Sequence, residues 1–241
     1  MLEEAVILAG GLGTRLRGII KDIPKPMAEI SGKPFLAYLI NFLSKQKIKR
    51  VVLSVGYKFE VIKNFFGNRY KGINISYAIE EKPLGTGGAI KNALLSIYGN
   101  EVFIINGDTF FDIDLNDFYN FHKSKNSKLS IALKKMDFTE RYGAVEIDKN
   151  NKIMAFHEKA QKYDVLINGG VYLLNKNFFN SLATQDKFSF EKDFLEKHYK
   201  DYEFYGFSFD EYFIDIGVPE DYEKAKEELK NLKINKNLAY F

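Results

Sequence analysis

The chain has 241 residues, 46% of them hydrophobic and 28% charged, enough for one sizeable α/β domain with a full core. Its net charge is +3 with lysines scattered among acidic residues, which argues against a nucleic-acid or membrane-surface partner. Without cysteine it has no disulfide, thiolate metal site or cysteine nucleophile. The acidic start, Met1-Leu2-Glu3-Glu4, precedes an apolar run too short for a secretory signal. No stretch reaches the ~20 apolar residues of a membrane span. A cytoplasmic protein is expected.

Compact β-branched runs at 5–10, 50–56, 73–79 and 101–107 predict strands buried on both faces. Between them, 34–47 places Phe35, Leu36, Leu39, Ile40, Phe42 and Leu43 at helical spacing. Residues 57–66 and 87–98 also predict helices, the second entered through Gly87-Gly88. Such alternation implies a Rossmann-like α/β fold, a mixed and mainly parallel sheet sandwiched by helices. From residue 129 the strands crowd together, at 129–135, 143–148, 152–158 and 168–174, with "DKNNK" as a hairpin turn. Added antiparallel strands are therefore expected beside the parallel sheet. A last helix over 218–232 has Pro219 and acidic residues in its first turn. With no linker or internal repeat, residues 1–241 form a single domain.

The first predicted strand breaks into "LAGGLGTR". Gly10, Gly11 and Gly13 let the backbone approach a ligand and turn N–H groups toward it, at the strand end where open α/β sheets bind ligands. Arg15 offers a planar fork suited to phosphate oxygens. Lys25, between Pro24 and Pro26, is a charge on a stiffened chain. Neither the P-loop pattern nor the dinucleotide glycine pattern is present. Asp108 follows the apolar strand "VFIIN", a placement suited to Mg²⁺, which takes one or two carboxylates plus phosphates. His122, His157 and His198 show no metal-ligand spacing.

"GGLGTRL" followed by "PKPM" resembles the signature of the sugar-1-phosphate nucleotidylyltransferases. The resemblance continues through "PLGTGGA" (83–89), "NGD" (106–108), "YGAVEID" (142–148), "HEK" (157–159), "NGGVYLL" (168–174) and "DIGVPEDY" (215–222). It implies a fold of the nucleotide-diphospho-sugar transferase type, with a nucleotide-binding half (1–115), a sugar-binding half (116–217) and a C-terminal helix and tail (218–241). It implies catalytic roles for Arg15 and Lys25, and nucleotide contacts from Leu8, Ala9, Gly10, Gly11, Gly13, Thr14, Glu80, Gly85 and Thr86. Gly143, Glu158, Lys159 and Asn168 would meet the sugar phosphate, and Asp108 and Asp215 would hold Mg²⁺. A homodimer is a further family-level expectation. Two departures stand out: Ala160 follows the lysine where relatives commonly have proline, and Gly18 follows Arg17 where many have proline.

The implied partners are a nucleoside triphosphate and a sugar 1-phosphate. Glu80 or Glu81 should face the base. A carboxylate only accepts hydrogen bonds; guanine offers adjacent N1–H and 2-amino donors, whereas uracil and thymine flank one N–H with carbonyls. GTP is therefore favoured. The pattern is most similar to guanylyltransferases of manno-configured sugars, with a heptose 1-phosphate favoured and mannose 1-phosphate next.

Overall fold

Strands in the first half divide their side chains between two cores. In β1 (Glu4–Leu8), Ala5 and Ile7 enter one apolar cluster and Val6 the other. The same division recurs where Val51 and Leu53 oppose Val52, and where Phe103 and Ile105 oppose Val102 and Ile104. A strand buried on both faces needs a helical layer on each side. The computed structural model describes residues 2–11, 23–157 and 161–231, and it shows both layers.

After β1, a 3-10 turn (Lys25–Met27) and the small hairpin of β2 (Glu29–Ile30) and β3 (Lys33–Pro34) lead into α1 (Phe35–Lys45). Then come β4 (Arg50–Val55), α2 (Phe59–Phe66), β5 (Arg69–Tyr70), β6 (Ile73–Ile79), α3 (Gly85–Leu94) and β7 (Glu101–Asn106). The chain continues through β8 (Thr109–Phe111), α4 (Leu115–Ser124), β9 (Leu129–Thr139), β10 (Val145–Ile147) and β11 (Ile153–Phe156). β12 (Lys162–Asn175) and α5 (Lys176–Leu182) precede a π-helical turn, Phe190–Leu195, that runs into α6 (Glu196–His198). β13 (Tyr205–Phe209), β14 (Phe213–Asp215) and α7 (Pro219–Asn231) close the described chain.

The main sheet has eight strands in the order β13-β9-β12-β7-β1-β4-β6-β5, with only β12 and β5 antiparallel to the others. One face is covered by α1, α2, α4 and α7, which bury Phe35, Ile62, Phe118 and Tyr222. The other is covered by α3, α5 and the π-helical turn through Ile90, Phe179 and Phe194. The sandwiched, mainly parallel sheet agrees with the expected fold.

Two local expectations need correction. The helix predicted at 87–98 spans Gly85–Leu94, so Gly87 and Gly88 lie inside it. A Cβ at Gly87 would strike the Phe188 ring, and one at Gly88 the Asp186 carbonyl, so these glycines serve close packing. The strand expected at 168–174 begins at Lys162 and is interrupted by a bulge between Asn168 and Val171. β10 and β11 do form the hairpin around 148–152, with the Asp148 side chain accepting from the N–H groups of Asn150 and Lys152, but as a separate two-stranded sheet.

Candidate active site

The carboxyl ends of four adjacent parallel strands open onto one cleft of about 570 Å³. Leu8 ends β1 with Gly10 and Gly11 after it, Gly56 and Tyr57 follow β4, Glu80 and Glu81 follow β6, and Asn106 ends β7 with Gly107 and Asp108 after it. Lys25 and Pro26 of the 3-10 turn, and Gly85, Thr86 and Ala89 of α3, complete the wall with Pro83. The chain passes from β1 outward through β4 and β6, then returns to the other side of β1 as β7. Open α/β sheets bind ligands at such a reversal.

At this reversal a cation meets two carboxylates. The Lys25 ammonium donates to Asp108 Oδ2 at 2.6 Å and lies 4.0 Å from Asp215 Oδ1. The Lys25 side chain is only 12% exposed, with Pro24 in extended conformation as the cap before its turn. Asp108 follows β7, while Asp215 ends β14, which pairs antiparallel with β8 and sets Asp215 opposite Thr109. The Ile216 N–H donates to the Asp108 carbonyl at 2.9 Å, tying the two strand ends together. The Gly217 N–H donates to Asp215 Oδ1 at 2.7 Å, and the Tyr142 hydroxyl stands 3.5 Å from Asp215 Oδ2. Burial, and secondly the charge of Asp108, holds the Asp215 carboxyl above the usual carboxylate range, against the opposing pull of Lys25 and the Gly217 N–H.

The donor set fits Mg²⁺. It consists of two carboxylates, Asp108 lining the cleft and Asp215 beside it, that already converge on one cationic group. Among the described residues, no group of three or more His, Cys, Asp or Glu forms an all-protein metal cage.

At the opposite end of the cleft, Glu80 is held by two donors. The Ser54 hydroxyl reaches Oε1 at 3.2 Å and the Leu84 N–H reaches Oε2 at 3.1 Å. A side chain at Gly10 could not coexist with this arrangement, because its Cβ would lie 2.6 Å from Glu80 Oε1. Glu81 lines the same cleft but is exposed. Thr86 also lines it, yet its hydroxyl donates to Glu191 at 2.7 Å and accepts from the Phe190 N–H at 2.8 Å. That hydroxyl fastens α3 to the π-helical turn.

Leu8, Gly10, Gly11, Lys25, Glu80, Gly85, Thr86 and Asp108 are thus brought together, with Asp215 against Lys25. Ala9 is buried, its N–H donating to the Ser54 carbonyl. Gly143 and Asn168 stand apart from the cleft lining. Gly143 packs against the His157 carbonyl, and Asn168 sits at the β12 bulge. The Asn168 side chain donates to the Tyr172 hydroxyl at 2.9 Å and accepts from the Gly170 N–H at 3.0 Å. Gly13, Thr14, Arg15, Glu158 and Lys159 lie outside the described residues.

Sequence reasoning passed over Ser54, Asn106, Tyr142 and Tyr172. Ser54 had a signal, since a hydroxyl inside the apolar run "RVVLSV" needs a buried partner. Tyr142 and Asn106 stood within matched blocks but were given no task. All three histidines occupy packing or ion-pair positions: His122 bonds Ser130, His157 meets Glu146, and His198 packs on Phe194.

Residues 4–231 match the family model described as nucleotidyl transferase. A D-glycero-α-D-manno-heptose 1-phosphate guanylyltransferase of Aneurinibacillus thermoaerophilus is 52% identical over 228 residues, covering 95% of this chain and 99% of that relative. One of the same description from Campylobacter jejuni is 54% identical over 219 residues, covering 91% and 96%. Among solved structures, HddC from Yersinia pseudotuberculosis complexed with GMP-PN superposes with a TM-score of 0.84 at 42% identity, covering 95% of this chain and all of that one. Sequence and backbone arrive at the same answer, and the chain belongs to the nucleotidyl transferase family.

Proposed function

We propose that this protein transfers GMP from GTP to D-glycero-α-D-manno-heptose 1-phosphate, releasing pyrophosphate and forming GDP-heptose for surface polysaccharide. One observation carries the reading: Lys25, Asp108 and Asp215 meet at the reversal point of a cleft whose far end presents Glu80. Relatives more than 50% identical over nearly the whole chain, named for that reaction, support the choice of base and sugar. Among the described residues no helix is long and apolar enough to cross a membrane. We assign the reaction to the cytoplasm, where nucleoside triphosphates are available.

An oxygen of the sugar phosphate attacks the α-phosphorus of GTP in line. A new P–O bond forms, the bond to the β-phosphate bridging oxygen breaks, and its electron pair leaves with pyrophosphate. The attacking oxygen is anionic at neutral pH, so no general base is needed. Catalysis then consists of aligning two polyanions and offsetting their repulsion. Lys25 sits where it can face the reacting phosphates, and Arg15 is assigned to the triphosphate. Asp108 and Asp215 would hold Mg²⁺, which supplies further charge neutralisation to the phosphates. Glu80 accepts from guanine, with Gly85 beside the base. Gly143, Glu158, Lys159 and Asn168 are assigned to the sugar phosphate.

The reading is tested by pyrophosphate release from GTP, UTP, dTTP, ATP and CTP, each with heptose, mannose and glucose 1-phosphate, with and without Mg²⁺. GTP with the heptose phosphate should turn over fastest. Preference for UTP or dTTP would refute guanylyl transfer, and faster use of mannose 1-phosphate would refute the sugar assignment.

A further inference from the structure

Ser54 is 0% exposed near the end of β4, a position where an apolar side chain would satisfy packing. Burying a hydroxyl is unfavourable unless it finds a partner. Its partner is Glu80 Oε1 at 3.2 Å, from a strand end 26 residues further along the chain. The second oxygen, Oε2, accepts from the Leu84 N–H at 3.1 Å. Among the described residues each oxygen therefore has one protein donor, and Gly10, lacking a side chain, leaves room for Oε1. A carboxylate has about four lone-pair sites, so roughly half remain available on a group that lines the cleft.

We propose that Ser54 is a positioning residue for base selection. Its buried hydroxyl, working with the Leu84 N–H, fixes the plane of the Glu80 carboxylate. Both oxygens then accept together from two adjacent donors on one purine edge. This deepens the guanylyl reading and rests on it, and it adds a sharper claim. The site distinguishes guanine from hypoxanthine, which keeps N1–H but lacks the 2-amino group. Without the hydroxyl, the carboxylate turns about its Cγ–Cδ bond; it keeps one acceptor for N1–H and loses alignment with the second donor.

The test compares kcat/KM for GTP and ITP in the wild-type protein and in Ser54→Ala, at saturating heptose 1-phosphate, with thermal unfolding measured alongside. The wild type should favour GTP over ITP by about tenfold or more, the scale of one hydrogen bond to a charged acceptor. In Ser54→Ala the ratio should fall to about twofold, through a higher KM for GTP with kcat little changed. A hydroxyl that merely braced the 80–84 turn would, when removed, weaken GTP and ITP equally. An unchanged ratio in the variant overturns the inference and leaves guanylyl transfer standing. So does a wild type indifferent between GTP and ITP. A wild type that prefers UTP or dTTP defeats both.

Discussion

Along β7, β1, β4 and β6, residues lining the cleft sit at or just after the ends of parallel strands, whereas on the β9–β12 side Gly143 and Asn168 lie apart from that lining, one ahead of the separate β10–β11 hairpin and the other at the bulge of antiparallel β12. On the first side, position is inherited from strand ends, and each side chain is held by one or two nearby groups, Lys25 by Asp108 and Glu80 by Ser54 and the Leu84 N–H, while still lining the cleft. On the second, side chains are fastened to one another: Asn168 to Tyr172, Tyr142 near Asp215, Arg141 to Asp221, and His157 to Glu146. A substitution on the side assigned to the nucleotide should therefore remove one or two defined interactions. On the side assigned to the sugar phosphate it should loosen a network and act through geometry.

The sharpest contrast should come from Lys25→Ala. Losing a positioned charge at the reacting phosphates costs about 3–4 kcal/mol of transition-state stabilisation, so kcat should fall about a hundredfold or more. Circular dichroism should show an unchanged fold. Near-normal turnover would place Lys25 outside the chemistry. Glu80→Gln comes next. An amide replaces one acceptor with a donor facing guanine donors, and kcat/KM for GTP should fall about thirtyfold with little change in kcat. Equal losses with every triphosphate would instead mark Glu80 as a bracing residue.

His122 addresses how the β9 side is anchored. On α4, its ring is buried against Ser130 of β9, 2.8 Å from the hydroxyl. Burial lowers its pKa to about 4, partly opposed by Glu101 and assisted by Lys123 and Lys128. The unfolded imidazole takes a proton near pH 6.5 and the folded one does not. The unfolded state therefore binds more protons in that window. The stabilisation is complete above about pH 6.5 and is lost as pH falls toward 4. Urea unfolding at pH 5 should give a stability about 2 kcal/mol lower from this group than at pH 7. His122→Asn should lack that part of the drop; an identical drop in both proteins would exclude the imidazole. The smallest effect is expected from Tyr172→Phe, which removes the hydroxyl that receives the Asn168 amide. The KM for sugar phosphate should rise about fivefold, with the KM for GTP unchanged, on the scale of one hydrogen bond. A matching rise for GTP would remove the distinction between the two sides.

The same division explains what could be read from the sequence. The runs at 5–10, 50–56, 73–79 and 101–107 are covered on both faces, so their apolar character announces them. The first part of β12 was missed because 162–166 pairs with β9 alone and exposes Tyr163 and Asp164, leaving a weak apolar signature. β8 and β14 have three residues each, too few to show a period. Gly87 and Gly88 were misread as a helix entry because their reason lies a hundred residues away, at Asp186 and Phe188. In the site, Lys25 and Asp108 were legible because proline stiffening and strand-end placement are local. Ser54's attachment to Glu80, and the diversion of the Thr86 hydroxyl to Glu191, are tertiary facts with no local trace.

The pairing of β8 with β14 has a consequence for how the protein is made. Asp108 leaves the ribosome early, together with every strand end that forms the cleft. Its partner carboxylate arrives only with residues 213–215, and α7 follows directly. A nascent chain halted before that point already carries its nucleotide-facing walls yet lacks half of its acidic pair. Under the roles proposed for Asp108 and Asp215, a copy halted before residue 213 is expected to leave GTP unconsumed.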